Sequence, residues 1–232
     1  MLKLTPILLA LLYAVVLWRF SAWRTAKELD ANSTELRDPA LAEVTGRLAR
    51  ALGVERVPVR IYEVAVVNGL AAPDGRIFLT RGFHDRFREG RVTAEEMASV
   101  IAHELGHVAL GHSRRRMIDF TGQNAIRMVL ATLLGRLLPG IGVMVANLLT
   151  SLVAARLSRR DEYEADEWAS ALLVKAGIGT APQKSLFAKL GRITGQAGAA
   201  PAWLMSHPKT GDRIAAIEAN ERKWGLNVEP IR

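Results

Sequence analysis

The sequence predicts a mostly α-helical fold with a small β-sheet (α+β) and an apolar helix at its N terminus. Most of the chain consists of segments with the apolar spacing of helices, about 3.6 residues per turn, bounded by capping residues. Two short segments rich in β-branched and aromatic residues, 57–67 and 76–80, are predicted strands, the second following the turn Pro73-Asp74-Gly75. The apolar run at the N terminus is too continuous to be one face of a surface helix.

Length and composition favour one domain with an attached helix. The 232 residues suffice for one domain and are too few for two. Half of the residues are hydrophobic, and the mean hydropathy of +0.12 is high for a soluble protein. The absence of cysteine excludes disulfides and thiolate metal sites. We therefore predict a membrane anchor over residues 1–24 and a domain over residues 25–232.

The net charge of +8 raises the question of nucleic-acid binding. The cations cluster where apolar segments end. Arg19 and Arg24 follow the apolar run at the N terminus, and Arg114–Arg116 and Arg156–Arg160 lie beside a second hydrophobic region at residues 126–157. The sequence contains no aromatic-rich basic strand of the kind that stacks on bases. Attraction to anionic lipid headgroups explains the pattern better. We predict membrane lipid as a partner and no nucleic acid.

The predicted anchor is the apolar run 4–17, which Trp18-Arg19 and Trp23-Arg24 close. With its flanks it reaches about 20 residues, enough to span a bilayer. A cleavable signal peptide is the alternative, but its charged start would be Lys3 alone and no A-x-A site follows. More cations follow the run than precede it, which favours a cytoplasmic location for the domain, with the periplasm as the alternative.

A second hydrophobic region, residues 126–157, contains Pro139-Gly140 near its middle. This dipeptide predicts a break between two helical arms, the first of which is too short to cross a bilayer. One interpretation is a hairpin that dips into the membrane from one face. The other is a buried or amphipathic helical pair that has no lipid contact. The sequence favours neither.

In the first half of the domain, Asp38 and Pro39 predict the start of a helix that ends at Gly53. Leu41, Val44, Leu48 and Leu52 are spaced as its buried face. Residues 66–71 are predicted to form either an exposed edge strand or part of a buried hairpin.

The segment His103-Glu104-Leu105-Gly106-His107 carries the strongest chemical signal. A capping box at Thr93–Glu96 opens a helix here, and residues four apart on a helix share one face. His103 and His107 can therefore bind one metal ion, with Glu104 beside it as a general base. Two paired core histidines are the alternative, but buried His and Glu are costly without a metal or a partner. His112, about 140° round the helix from His107, is predicted to face away.

A third metal ligand is predicted on a helix that begins near Ser158 and runs to Lys175. At about 100° per residue, Glu162 and Asp166 lie on its inward face, whereas Glu164 points outward. Glu162 is therefore the predicted ligand, and Asp166 suits an acceptor that orients a ligand histidine. An exposed acidic helix start, neutralised by neighbouring arginines, is the alternative.

With these residues in place, the chain resembles the gluzincin family that contains the HtpX heat-shock protease and the CAAX prenyl protease. The resemblance rests on four segments, which are Val67–Ala71, His103–His107, Glu162–Asp166 as E-Y-x-A-D, and Ser206-His207-Pro208 with Arg213. It departs from HtpX in carrying one clear membrane anchor, fewer than HtpX has.

The resemblance implies a zincin-type metallopeptidase fold that binds one zinc ion per chain. It implies that His103, His107 and Glu162 are ligands and that Glu104 is the catalytic base. His207 and Arg213 become expected substrate or oxyanion contacts.

The predicted function is a membrane-associated zinc endopeptidase that hydrolyses proteins or peptides, with quality control of misfolded membrane proteins as the implied setting. The alternative is a membrane-bound chaperone or adaptor that retains a non-catalytic zinc site.

Overall fold

The computed structural model describes residues 5–72, 74–112, 127–128, 130–194 and 210–227. The helices are α1 (Thr5–Ala31), α2 (Pro39–Leu52), α3 (Arg81–Arg88), α4 (Ala94–Ala109), α5 (Gly142–Lys175), α6 (Ala181–Thr194) and α7 (Thr210–Lys223). The strands are β1 (Ser33–Glu35), β2 (Val59–Tyr62), β3 (Gly69–Ala71) and β4 (Ile77–Thr80). Helices dominate and the sheet is small, which confirms the predicted α+β class.

The four strands form one mixed sheet in the order β1-β2-β4-β3. β2 and β4 are parallel, whereas β1 and β3 pair antiparallel with them at the two ends. All four residues of β4 are buried. β3 lies at an edge of the sheet, within the segment that the sequence predicted as an edge strand or a hairpin. β1 was not predicted, because three residues are too few to show the alternation of a strand.

The predicted helix starts at Asp38 and Thr93 are confirmed. The Asp38 carboxylate accepts hydrogen bonds from two amides of the first turn of α2, and Gly53 ends that helix with a φ of +73°. At α4, the Thr93 hydroxyl accepts from the Glu96 amide at 3.2 Å, and the Glu96 carboxylate accepts from the Thr93 amide at 2.9 Å. These caps satisfy amides that the first helical turn leaves without partners.

Helix α4 lies at the centre of the domain. It packs against α2, α5 and α6 and against strands β3 and β4. Its residues from Glu96 to His103 are all buried, because this helix is apolar on nearly every side. The residues of the 103–107 motif are therefore held by the core of the molecule and not by a surface loop.

The predicted start of the second motif helix, near Ser158, is wrong. Helix α5 begins at Gly142 and continues without a break to Lys175, so the second arm of the hydrophobic region and the segment around Glu162 are one helix. The charges at 156–160 suggested a boundary, but no proline or internal glycine interrupts residues 143–175. The break at Pro139-Gly140 is confirmed, because residues 138–141 separate α5 from the helical residues before them.

The N-terminal apolar run is helical from Thr5 onward, and α1 continues past it to Ala31. Within the described part of the chain, no helix combines the length and the apolar character that crossing a membrane requires. The anchor predicted for residues 1–24 stays a prediction.

A buried ion pair joins α6 to α7. Lys184 Nζ lies 2.9 Å and 3.0 Å from the two carboxylate oxygens of Glu221, and neither residue is more than 1% exposed. The Thr180 hydroxyl also donates to Glu221. Removal of one charge from such a pair leaves the other buried without compensation.

Lys184→Met should therefore lower the free energy of unfolding by about 3–5 kcal/mol, measured by urea denaturation. Lys223→Met is the matched control, because its partner Glu167 is 3.6 Å away and the lysine side chain is 69% exposed. The control should change the free energy by less than about 0.5 kcal/mol. Equal effects of the two substitutions would contradict a structural role for the Lys184–Glu221 pair.

Candidate metal centre

Three buried side chains converge where α4 meets α5. The Nε2 atoms of His103 and His107 lie 3.1 Å apart. Glu162 brings one carboxylate oxygen to 3.4 Å from His103 Nε2 and the other to 3.5 Å from His107 Nε2. Tetrahedral zinc with bonds of about 2.0–2.1 Å separates neighbouring donor atoms by about 3.4 Å. The spacing and the two-nitrogen, one-carboxylate chemistry of this cluster fit a zinc ion.

Close packing of the two helices brings these donors together. A Cβ atom on Gly106 would lie 3.0 Å from the backbone oxygen and 3.2 Å from the Cα of Ala165. Gly106 precedes His107, and Ala165 lies one turn beyond Glu162. A glycine at this position therefore lets the two helices that carry the donor groups approach closely.

Asp166 contacts the ring nitrogen of His103 that faces away from the cluster. His103 Nδ1 lies 2.9 Å from Asp166 Oδ1. Because a carboxylate accepts hydrogen bonds, this contact keeps a hydrogen on Nδ1 and directs the lone pair of Nε2 toward His107 and Glu162. The structure thus places Asp166 against His103, and its role in orienting a metal ligand stays a prediction.

The buried charged groups around His103 and Asp166 shift one another's pKa values. Burial disfavours the charged form of His103, but hydrogen bonds to Asp166 and Glu162 outweigh it and raise the pKa of His103 to about 9. Burial likewise opposes ionisation of Asp166, yet the Arg213 guanidinium holds the pKa of that carboxyl below its usual range. A metal at His103 Nε2 therefore competes with a proton.

Arg213 occupies a different place from the one that the resemblance implied. Its Nε and Nη2 atoms donate to the two oxygens of Asp166 at 2.6 Å and 2.7 Å, and its guanidinium lies 4.2 Å from the ring centroid of Phe187. The side chain is fully buried behind His103. Its contacts are those of a residue that positions Asp166, not of one that touches a substrate. His207 lies outside the described residues, and its role stays a prediction.

His112 is the residue of this region that sequence reasoning missed. It is 1% exposed, and its Nδ1 lies 2.7 Å from Nδ1 of His107. Its Nε2 lies 3.4 Å from Glu164, the acid predicted to point outward. The helical angle of 140° does not apply, because α4 ends at Ala109 and Gly111 leaves the right-handed helical conformation with a φ of +65°. Gly111 was the signal, since glycine commonly follows the end of a helix.

Glu104, the predicted base, is also buried and lies beside the edge of the sheet. A Cβ atom on Gly69 of β3 would come within 3.6 Å of Glu104 Cγ and 2.6 Å of Val100 Cγ1. The backbone of β3 therefore runs directly against α4 next to this carboxylate. The predicted site residues of α4 and α5 thus occupy one region; they are His103, Glu104, His107, Glu162 and Asp166.

The donor cluster and the helices that carry it are features of a zinc-dependent metallopeptidase. The model of Peptidase family M48 matches residues 35–221, and the chain belongs to this family. This membership confirms the predicted class of enzyme, its zinc dependence and the resemblance to HtpX.

Three relatives illustrate the similarity. Metalloprotease LoiP of Escherichia coli is 32% identical over 201 residues, which cover 84% of this chain and 76% of LoiP. Metalloprotease YcaL of the same organism is 28% identical, covering 82% of this chain and 74% of YcaL. Protease HtpX of Pseudomonas aeruginosa is 26% identical, with 85% and 78% covered.

The close approach at Gly106 can be tested by Gly106→Ala. The added methyl group must separate α4 from α5 by a few tenths of an ångström, which should cost about 1–3 kcal/mol of stability. Because Glu162 moves with α5, zinc affinity should fall as well, as measured by chelator competition. Gly46→Ala in α2 is the control, since its Cβ would meet only the end of the Arg50 side chain at 3.6 Å. Unchanged zinc affinity in Gly106→Ala would contradict this account.

Proposed function

We propose that the chain is a membrane-associated zinc endopeptidase in which His103, His107 and Glu162 hold the metal. The observation that carries the proposal is the convergence of their three donor groups, with the Glu104 carboxylate on the same helix. Zinc bound there supplies Lewis acidity, which polarises a peptide carbonyl and lowers the pKa of water toward about 7.

In this proposal the Glu104 carboxylate acts as general base. It accepts a proton from the attacking water and passes that proton to the amine that leaves when the peptide bond breaks. Asp166 and Arg213 do not take part in proton transfer. They hold His103 in the tautomer and orientation that a ligand requires.

The substrate is proposed to bind as an extended segment beside β3. No described strand pairs with the outer edge of β3, and β3 itself lies against α4 beside Glu104. A peptide added to the sheet by main-chain hydrogen bonds would bring its carbonyl groups close to that carboxylate. Such recognition depends on the backbone and therefore suits unfolded or misfolded protein segments.

Glu104→Gln should keep the zinc and lose activity, because the amide retains the shape of the side chain but cannot accept the proton. Cleavage of casein should fall by at least about 10²-fold. Zinc content of the purified protein, measured by metal analysis, should stay at one per chain. With a bound peptide that this variant does not cleave, amide exchange in residues 69–71 should slow.

Glu162→Gln is the companion variant and should weaken zinc binding itself. Casein cleavage by Glu104→Gln at the wild-type rate would refute the assignment of the base. One zinc in both the wild type and Glu104→Gln, with cleavage in neither, would favour the chaperone or adaptor instead. No zinc in the wild type would refute the ligand assignment.

The membrane part of the proposal rests on exposed apolar side chains. On the first half of α5, Val143, Met144, Leu148, Leu149, Leu152 and Val153 are each about half exposed or more, and α1 exposes a similar set around Leu12, Val16 and Phe20. Arg156, Arg159 and Arg160 follow on α5 within two turns. An apolar surface bordered by arginines suits an anionic bilayer and its headgroups. Misfolded membrane proteins are the substrates this location would favour.

A polarity-sensitive fluorophore can test this contact, because the chain has no cysteine of its own. Attached at Leu149→Cys, the label should shift to shorter wavelength when vesicles containing phosphatidylglycerol are added. The same label at Val54→Cys, which is exposed on the domain, should not respond. If the protein sediments with the vesicles but the Leu149 label does not shift, α5 is not the membrane contact.

A further inference from the structure

We propose that His112 is a positioning residue for His107, whose Nδ1 hydrogen it accepts so that His107 Nε2 remains available to the metal. Glu164 completes the arrangement as the acceptor for His112. The inference rests on the proposed zinc site, and no part of the predicted ligand set includes His112.

The contact between the two imidazoles limits where hydrogens can be. The Nδ1 atoms of His107 and His112 lie 2.7 Å apart, and both residues are at least nine-tenths buried. Two lone pairs at this distance repel, and two hydrogens would clash. One of the two nitrogens therefore donates and the other accepts.

Metal binding at His107 would determine which of the two Nδ1 atoms donates. A neutral imidazole carries one hydrogen, and a ligand must offer a lone pair. If His107 presents the lone pair of Nε2 to zinc, its hydrogen is on Nδ1, and His112 Nδ1 must be the acceptor. The hydrogen of His112 is then on Nε2, which lies 3.4 Å from Glu164 Oε2 and 3.9 Å from Asp161 Oδ1.

Glu164, the last residue in this series of contacts, has a partner of its own. Arg160 Nε donates to the second oxygen of Glu164 at 2.8 Å. His103 is oriented directly by a carboxylate that an arginine pairs, whereas His107 is oriented by an imidazole that stands between it and such a carboxylate. An arginine-paired carboxylate thus supports both histidines. It contacts His103 directly and reaches His107 through His112.

A second metal at His112, Asp161 and Glu164 would be a different use of the same cluster. It would require a lone pair on His112 Nε2 while Nδ1 accepts from His107, so His112 would carry no hydrogen on either nitrogen. That anionic form is unfavourable for a buried imidazole beside two carboxylates. The positioning role needs only neutral rings.

The test compares zinc affinity in two variants of His112. His112→Phe fills the space but cannot accept a hydrogen bond, and zinc affinity should fall by about 10–100-fold in chelator competition. His112→Gln offers an acceptor oxygen and should restore most of that affinity. Thermal unfolding of the zinc-free proteins, measured in parallel, separates loss of metal affinity from loss of fold.

Glu167→Gln on the same helix is the matched control and should leave zinc affinity unchanged. The wild type should bind one zinc, and long-range ¹H–¹⁵N correlation spectra should place the His112 hydrogen on Nε2. The inference is overturned if His112→Phe keeps wild-type affinity, if His112→Gln loses as much as His112→Phe, if His112 carries its hydrogen on Nδ1, or if two zinc ions bind. A wild type that binds no zinc would instead refute the proposed metal centre, and the inference with it.

Discussion

The close packing of α4 against α5 is the constraint on which the rest of the structure depends. His103 and His107 lie on α4 and Glu162 on α5, so the distances among their donor atoms are set by how near the two helices come. The absence of a side chain at Gly106 permits that approach next to Ala165. The surrounding elements, α2, α6 and the sheet, pack against α4 and keep it in register with α5.

This packing buries charged and polar groups that are costly to remove from water. The structure compensates them by pairing, and the pairs extend outward from the donor cluster. Asp166 contacts His103 and is itself held by Arg213 from α7. Lys184 and Glu221 then fasten α7 to α6. The C-terminal helices thus support a site whose donor groups all come from α4 and α5.

Local rules predicted the parts of the site that lie within single helices. The capping residues Asp38 and Thr93 marked helix starts, because a side chain that satisfies first-turn amides acts over three residues. Helical spacing predicted that Glu162 and Asp166 lie on the inward face of their helix, and both side chains are buried in the structure. The same reasoning failed at the start of α5, where charged residues suggested a boundary although nothing in the backbone required one. It failed again at His112, because helical spacing was extended past the glycine that ends α4.

The sequence by itself determined the helices, their buried faces and the residue types able to hold a metal, since each of these follows from spacing and chemistry along a short segment. Only the tertiary structure decided that Arg213 pairs with Asp166 and that His112 contacts His107. Asp166 and Arg213 are far apart in the chain, and their contact depends on how α5, α6 and α7 pack. The contact of His112 depends on the end of α4 and on the positive φ of Gly111, which the periodicity of a helix does not encode.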